Sequence, residues 1–585
     1  MIPTSAEPIA TSGLDWLLLK LQARAAETLP ASELPALPAA SDFPGALETG
    51  ASPLSSASVQ VDASYAGRDS NYLYSAAGKA VWRSTGLWAA AGEPITVQLP
   101  TAAVGLGLGV RIGSHSDHLY NKDAVERVPS GLSREYALDS TSTIAASALG
   151  GLVYITVPGA TDLGSITVTV FGAYAAPHFR LGVDTDADWN SGGLKERAAP
   201  FAEFESPTLV ITVPTSYART VSEPTALMLF WEEMMNASAT LEGYPTGAPG
   251  GWARARPERF VMDRQISLGW MHSGYPIMGH VTGSEDLLVT TSKWGPFHEL
   301  GHNFQWSQWL LPGTTEASVN LWSVYLNELL GATSAHSALS DAARATRLEE
   351  YLETGPDFEL WSVWTALETY LQLKEAFGWG FYMRVFAGYR SNPQMSYDNK
   401  IDEWAWRTAE VAGVDLSPFY LAWGFPLSDA VVAEMALMAR WDADPMIPKP
   451  PSPPAAPSIF SGHVLVQEQK ECDDAGETDH GYYLTLQECA DECAATTGCV
   501  NFIYARIGAG RCSGTNCKCF TVRATAPLRP PRLLTHTSRA ARPASALWRT
   551  PHAHATALSR TRTAPDHRCV GAHRRTRVVW TARTL

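Results

Sequence analysis

The stretch that decides how this chain is read is "WGPFHELGHNFQW", residues 294–306. It holds two histidines four apart, with Glu299 directly after the first. On a helix, His298 and His302 are one turn apart and face the same way, so both imidazoles can reach one metal ion. Glu299 then points toward the open coordination position. There a carboxylate can take a proton from a metal-bound water and later deliver it to a leaving amine. A chain with 15 histidines in 585 residues should match H-E-x-x-H by chance roughly 0.02 times.

A chance match would not bring a third ligand. Here Pro312 and Gly313 break the first helix and a second is predicted from about Thr315. Glu316 sits in its first turn, fourteen residues after His302, placed to return as a carboxylate ligand. The pattern H-E-x-x-H-x13-E is the gluzincin arrangement, with His298, His302 and Glu316 as ligands, Glu299 as general base and one Zn²⁺ per chain. Asn320, one turn after Glu316, is placed to hydrogen-bond to a ligand, or simply to lie on a polar helix face. His272 and Tyr275 in "MHSGYPIM" could line the cleft, or form a packed turn around Pro276. "SHSDH", with His115, Asp117 and His118, lies among strands and reads as a satisfied loop more readily than a second metal site. Trp306 and Trp309 are expected to continue the motif helix into the core.

Composition narrows the alternatives. The chain is 45% hydrophobic and 18% charged, which is globular, and its length suits two to four domains. Its 20 tryptophans read mostly as large core side chains, although such an excess also suits carbohydrate surfaces. The net charge of −15 is uneven: Thr525–Leu585 carries twelve Arg and one Asp, leaving −26 on the remainder. An acidic body argues against a nucleic-acid partner. No run approaches 18 consecutive apolar residues, so no transmembrane segment is expected. The first residues show no signal-peptide pattern, since "DWLLLKL" is short and interrupted by Lys20.

Along the chain, residues 1–57 are rich in Ala, Ser and Pro and read as a flexible leader with one possible helix at Leu14–Thr28. Residues 58–176 alternate apolar and polar in short runs such as "GLVYITVP", which predicts a β-sandwich-like domain. Residues 177–446 mix strands with long helical patterns and form the catalytic domain, helical toward its C-terminus. Residues 447–461 form a Pro-rich linker, with seven prolines between Pro445 and Ser458. Residues 462–523 hold seven of the eight cysteines at spacings that favour disulfides over a zinc cluster. Such a module implies an oxidising compartment, so an extracellular or cell-surface location is expected. Residues 524–585 form a basic tail expected to be disordered. The fold class is therefore α+β and multidomain.

Several segments carry a resemblance: "STGLWAAAGEPITVQLP", "LGVRIGSHSDHL", "GGLVYITVP", "RPERFVMDRQISLGWMHSGYPIM", "KWGPFHELGHNFQWSQW" and "TTEASVNLW". In this order, over about residues 80–430, the chain resembles the enhancin-like, mucin-degrading zinc peptidases, metallopeptidase family sixty, related to the TRP-channel-associated factors. The resemblance implies a strand-rich N-terminal part on a zincin catalytic domain. It also implies ligands at His298, His302 and Glu316, a base at Glu299, and a substrate of O-glycosylated, mucin-like protein with carbohydrate contacts. The alternative is a non-catalytic glycan-binding or membrane-protein-associated module that keeps the zincin fold. Separately, "TLQECADECAATTGCVNFIYA" resembles an Apple/PAN-like adhesion module over about sixty residues.

Overall fold

In the computed structural model, the described residues are 2–244, 256–332 and 336–446, followed by the backbone of short strands between His463 and Ala582. The chain divides into two compact units, Met1–Pro448 and Lys449–Leu585.

Alternating apolar residues build the first part of unit one. A four-stranded antiparallel sheet runs in the order Ala57–Tyr65, Thr161–Phe171, Ile95–Gln98, Ser142–Ala145. A five-stranded antiparallel sheet runs Tyr174–Ala175, Val81–Ala89, Gly151–Val157, Gly109–Ile112, Arg134–Ala137. Val61, Val97 and Val168 of the first sheet pack with Val110, Val153 and Ile155 of the second, so the two form a sandwich. Gly151–Val157 is buried on both faces. Its outward residues Leu152 and Tyr154 face a second core with Trp82, Phe43 and Phe201.

That second core corrects the reading of residues 1–57 as flexible. Helix Gly13–Thr28 buries Trp16, Leu19, Ala23 and Ala26, one stripe at helical spacing. Ala23, Ala39, Ala40 and Phe43 pack against Trp82 and Trp88 of the sandwich. Alanine-rich composition suggested a solvated leader, but small side chains let this segment lie close on the sheet.

The second part of unit one is centred on a mixed six-stranded sheet, in the order His178–Arg180, Phe201–Glu205, Leu209–Pro214, Glu258–Asp263, Ile277–His280, Met271–His272. The last strand is an antiparallel edge. Helices Pro224–Leu241, Gly295–His302 and Asn320–Leu329 share one large core with the C-terminal helices. Trp189, Trp231, Trp309, Trp322, Trp404 and Trp423 are all fully buried, so these tryptophans serve as core packing. The sandwich and this second part are tied by buried contacts. Arg127 holds Asp263 at 2.7 Å with both side chains out of solvent, and Arg259 donates to the Trp82 carbonyl at 3.2 Å. Breaking one partner of such a pair leaves an uncompensated buried charge.

In unit two, five antiparallel strands run His463–Glu468, Arg577–Ala582, Cys499–Arg506, Cys517–Arg523, Glu477–Tyr482. Strand Arg577–Ala582 corrects the expectation of a wholly disordered tail: "RVVWTA" is rich in β-branched and aromatic residues. The proline-rich linker and the cysteine pairings lie outside the described residues. Among the described residues, no helix is long and apolar enough to cross a membrane.

Candidate metal centre

The motif helix is short, Gly295–His302, with Pro296 in its first turn. It packs on helix Asn320–Leu329 at Gly301. A Cβ there would come within 2.8 Å of the Trp322 Cβ and 3.2 Å of the Val319 carbonyl oxygen. Glycine at this position is therefore what lets the two helices approach. Trp306 and Trp309 are buried in the core as expected, but the helix ends before them.

The approach brings three donors together. His298 Nε2 lies 3.1 Å from His302 Nε2 and 3.0 Å from Glu316 Oε2, and His302 Nε2 lies 3.4 Å from that same oxygen. Atoms about 2.1 Å from a tetrahedral zinc are about 3.4 Å from each other, so this triangle has the dimensions of one face of such a site. Glu316 stands in the first turn of Thr315–Ser318. Its side chain is 54% exposed while that of His302 is 6% exposed, so the centre is rooted in the core and open on the carboxylate side.

Both rings are oriented by amides. Asn320 donates from Nδ2 to the Glu316 carbonyl at 2.7 Å, which leaves its Oδ1 to accept from His298 Nδ1–H at 2.8 Å. Gln305 donates from Nε2 to the Thr315 carbonyl and to Ser318 Oγ, both at 2.8 Å, and its Oε1 accepts from His302 Nδ1–H at 2.7 Å. With each Nδ1 protonated, both Nε2 lone pairs face the triangle. Two lone pairs 3.1 Å apart beside a carboxylate make a donor set for a cation, and the residues present fit Zn²⁺. Gln305 was not anticipated in the sequence. It lies beyond the last residue of the helix, so helical spacing carries no signal for it.

The electrostatics agree with this geometry. Bonds from His298 and His302 hold the Glu316 carboxyl far below the usual carboxylate range. Burial alone would lower His298, but Glu316, the nearby Glu299 charge and the bond with Asn320 outweigh it and raise that ring. Burial raises Glu299, against the pull of His298 and His302. A carboxyl lifted from its ordinary value is a better proton acceptor, as a general base requires.

The remaining candidates separate. His272, on the edge strand, binds Asp117 Oδ2 through Nε2 at 2.8 Å and the Ser273 carbonyl through Nδ1 at 3.0 Å. Burial opposes its charge, but the Asp117 bond prevails and the ring is raised, with Glu299 contributing. Tyr275 is spent on packing: its hydroxyl accepts the Trp82 N–H at 3.1 Å and the Arg256 guanidinium lies 3.8 Å over its ring. His115 is buried between Phe43 and Phe201, bonds the Met262 carbonyl at 3.2 Å, and is pushed by burial down to about 4. Among the described residues, the cluster of His, Cys, Asp or Glu able to share an ion is His298, His302 and Glu316.

Residues 172–424 match the family "Peptidase M60, enhancin and enhancin-like", and residues 59–171 match "N-terminal domain of M60-like peptidases". A TRPM8 channel-associated factor homolog from Xenopus laevis is 40% identical over 380 residues, covering 63% of this chain and 41% of that protein. The chain thus spans about two fifths of the length of the curated relatives it matches. A conserved protein of unknown function from Bacillus anthracis superposes with a TM-score of 0.54 at 21% identity, over 66% of this chain and 80% of its own. The M60 catalytic domain of Clostridium perfringens ZmpC, solved in complex with the sialyl T antigen, gives 0.50 at 13% identity, over 81% of this chain and 96% of that one. These structures share the fold.

Proposed function

The chain belongs, over residues 59–424, to the M60 enhancin-like peptidases, and on that premise we propose that it is a zinc-dependent endopeptidase acting on O-glycosylated, mucin-like proteins. The observation that carries the proposal is the triangle of His298, His302 and Glu316 with sides of 3.0 to 3.4 Å, next to a base, Glu299, that a purely structural site would not need. His298, His302 and Glu316 would hold the ion, and Asn320 and Gln305 would fix the ring tautomers. Bound there, zinc supplies Lewis acidity, lowering the pKa of a water and polarising the scissile carbonyl. Glu299 accepts the proton of the attacking water and delivers it to the departing amine nitrogen. Burial raises the Glu299 carboxyl, while His298, His302 and, more weakly, His272 favour its ionised form.

The glycosylated substrate draws support from the ZmpC catalytic domain, whose structure holds a sialylated glycan. Such a substrate fits action at the cell surface or outside the cell. A second reading is favoured by the relative at 40% identity, whose name describes association with a channel: a non-catalytic module bound to a membrane protein. Incubating the purified protein with mucin and with deglycosylated mucin, with and without a chelator, decides between them. Chelator-sensitive cleavage of mucin supports the peptidase. Binding of glycoprotein without cleavage supports the module.

A further inference from the structure

One short segment of the sandwich domain is joined to the exit of the motif helix and to the turn that carries Glu316. Arg68 donates from Nη2 to the Asn303 carbonyl at 2.9 Å, and the Ser307 N–H donates to the Asn71 carbonyl at 2.9 Å. The Leu73 N–H donates to the Gln305 carbonyl at 3.0 Å. Tyr72 stacks edge-on against Trp306 with ring centroids 5.3 Å apart. The Tyr74 ring lies 5.1 Å from the His302 imidazole, and its hydroxyl donates to Thr315 Oγ1 at 3.4 Å, one residue from Glu316. The segment thus follows residues 302–307 nearly residue by residue, across more than two hundred positions of sequence.

What it grips matters more than how much. Gln305 is the side chain that orients His302, and its main chain is pinned by Leu73. The Tyr74 ring packs against the His302 imidazole with the ring planes 57° apart. We propose that this strap, Arg68–Tyr74, is a positioning device for the metal centre, so that docking of the N-terminal domain and metal affinity are thermodynamically coupled. The inference rests on the zinc reading above. Partners that orient metal ligands typically contribute about 10–100-fold to metal affinity. Coupling of this kind is reciprocal: if the docked strap raises metal affinity, metal binding must hold the strap more firmly by the same factor. Tyr74 acts here through His302 and touches no reacting atom. The ring supplies the packing, while its hydroxyl makes only one long bond.

Two measurements on the full-length protein test this. In chelator competition, Tyr74→Ala should bind zinc at least about ten-fold more weakly than wild type, whereas Tyr74→Phe should stay within about three-fold. In hydrogen exchange on wild type, saturating zinc should slow the Leu73 amide by a comparable factor and leave the far sheet of the sandwich unchanged. Wild-type affinity in Tyr74→Ala, or an unchanged Leu73 exchange rate, overturns the strap. The exchange measurement needs no variant and stands even if Tyr74→Ala does not fold. If wild type itself binds no zinc, the failure belongs to the metal assignment instead.

Discussion

Asn320 accepts from His298 Nδ1–H at 2.8 Å while its own amide donates to the Glu316 carbonyl at 2.7 Å. One side chain therefore fixes the tautomer of one candidate ligand and the backbone of another. Asn320→Asp would keep the acceptor but lose the donor to Glu316. Asn320→Ala loses both, and zinc affinity by chelator competition should fall about 10–100-fold. The loss should be smaller in Asn320→Asp.

Gln305 plays the same part for His302. It is fully buried, and its amide protons are both used. Gln305→Leu keeps the volume but takes the acceptor from His302 Nδ1–H and leaves the Ser318 hydroxyl only a 3.5 Å bond to the Thr315 carbonyl. Each unsatisfied buried group costs about 1–3 kcal/mol, so thermal melting of the metal-free protein should fall as well as its zinc affinity.

Gly301 sets the spacing of the two helices that carry the centre. In Gly301→Ala the new methyl meets the Trp322 Cβ at 2.8 Å, closer than real Cβ atoms come, and presses on Val319 at 3.0 to 3.2 Å. Overpacking of this kind costs about 1–3 kcal/mol. Because the helices must part, His298 should also separate from Asn320. Denaturant unfolding reads the first effect and zinc affinity the second.

Asp117 and His272 join the two domains by a bond that strengthens as the ring takes a proton. His272 is raised above its unfolded value, so its contribution is complete below that unfolded value and is lost as pH rises through the folded one. Asp117 is lowered: burial opposes its charge, the His272 bond overcomes that, and its contribution is lost only as pH falls through its own depressed value. In Asp117→Asn, burial is left as the main influence on His272, and its titration followed by NMR should move down. The coupling energy from an Asp117→Asn, His272→Gln double-mutant cycle should be larger near pH 6 than near pH 9.

Part of this was legible in the sequence, and the rest was not for physical reasons. His298, His302 and Glu316 are readable because helical periodicity and one break fix their directions. Asn320 falls under the same rule, being one turn from Glu316. Gln305 lies past the end of the helix, where no periodicity predicts which way a side chain turns. Tyr74 touches His302 only through tertiary folding, so no local pattern could reveal it. Tyr275 sits near the motif in sequence but is drawn into the domain junction by Trp82 and Arg256. The leader misled because Ala23, Ala39 and Ala40 carry little hydrophobic signal yet pack tightly against tryptophans.

In the proposed peptidase reaction, Glu299 is the group that moves the proton. Glu299→Gln keeps the side chain's shape but cannot accept a proton at neutral pH, and it removes no metal ligand. The direct measurement is the turnover of an O-glycosylated mucin by Glu299→Gln and wild type, with zinc content determined on the same samples. The predicted result is a fall of at least about 10²–10⁴-fold in kcat with zinc content unchanged. Cleavage by Glu299→Gln at the wild-type rate would contradict the account.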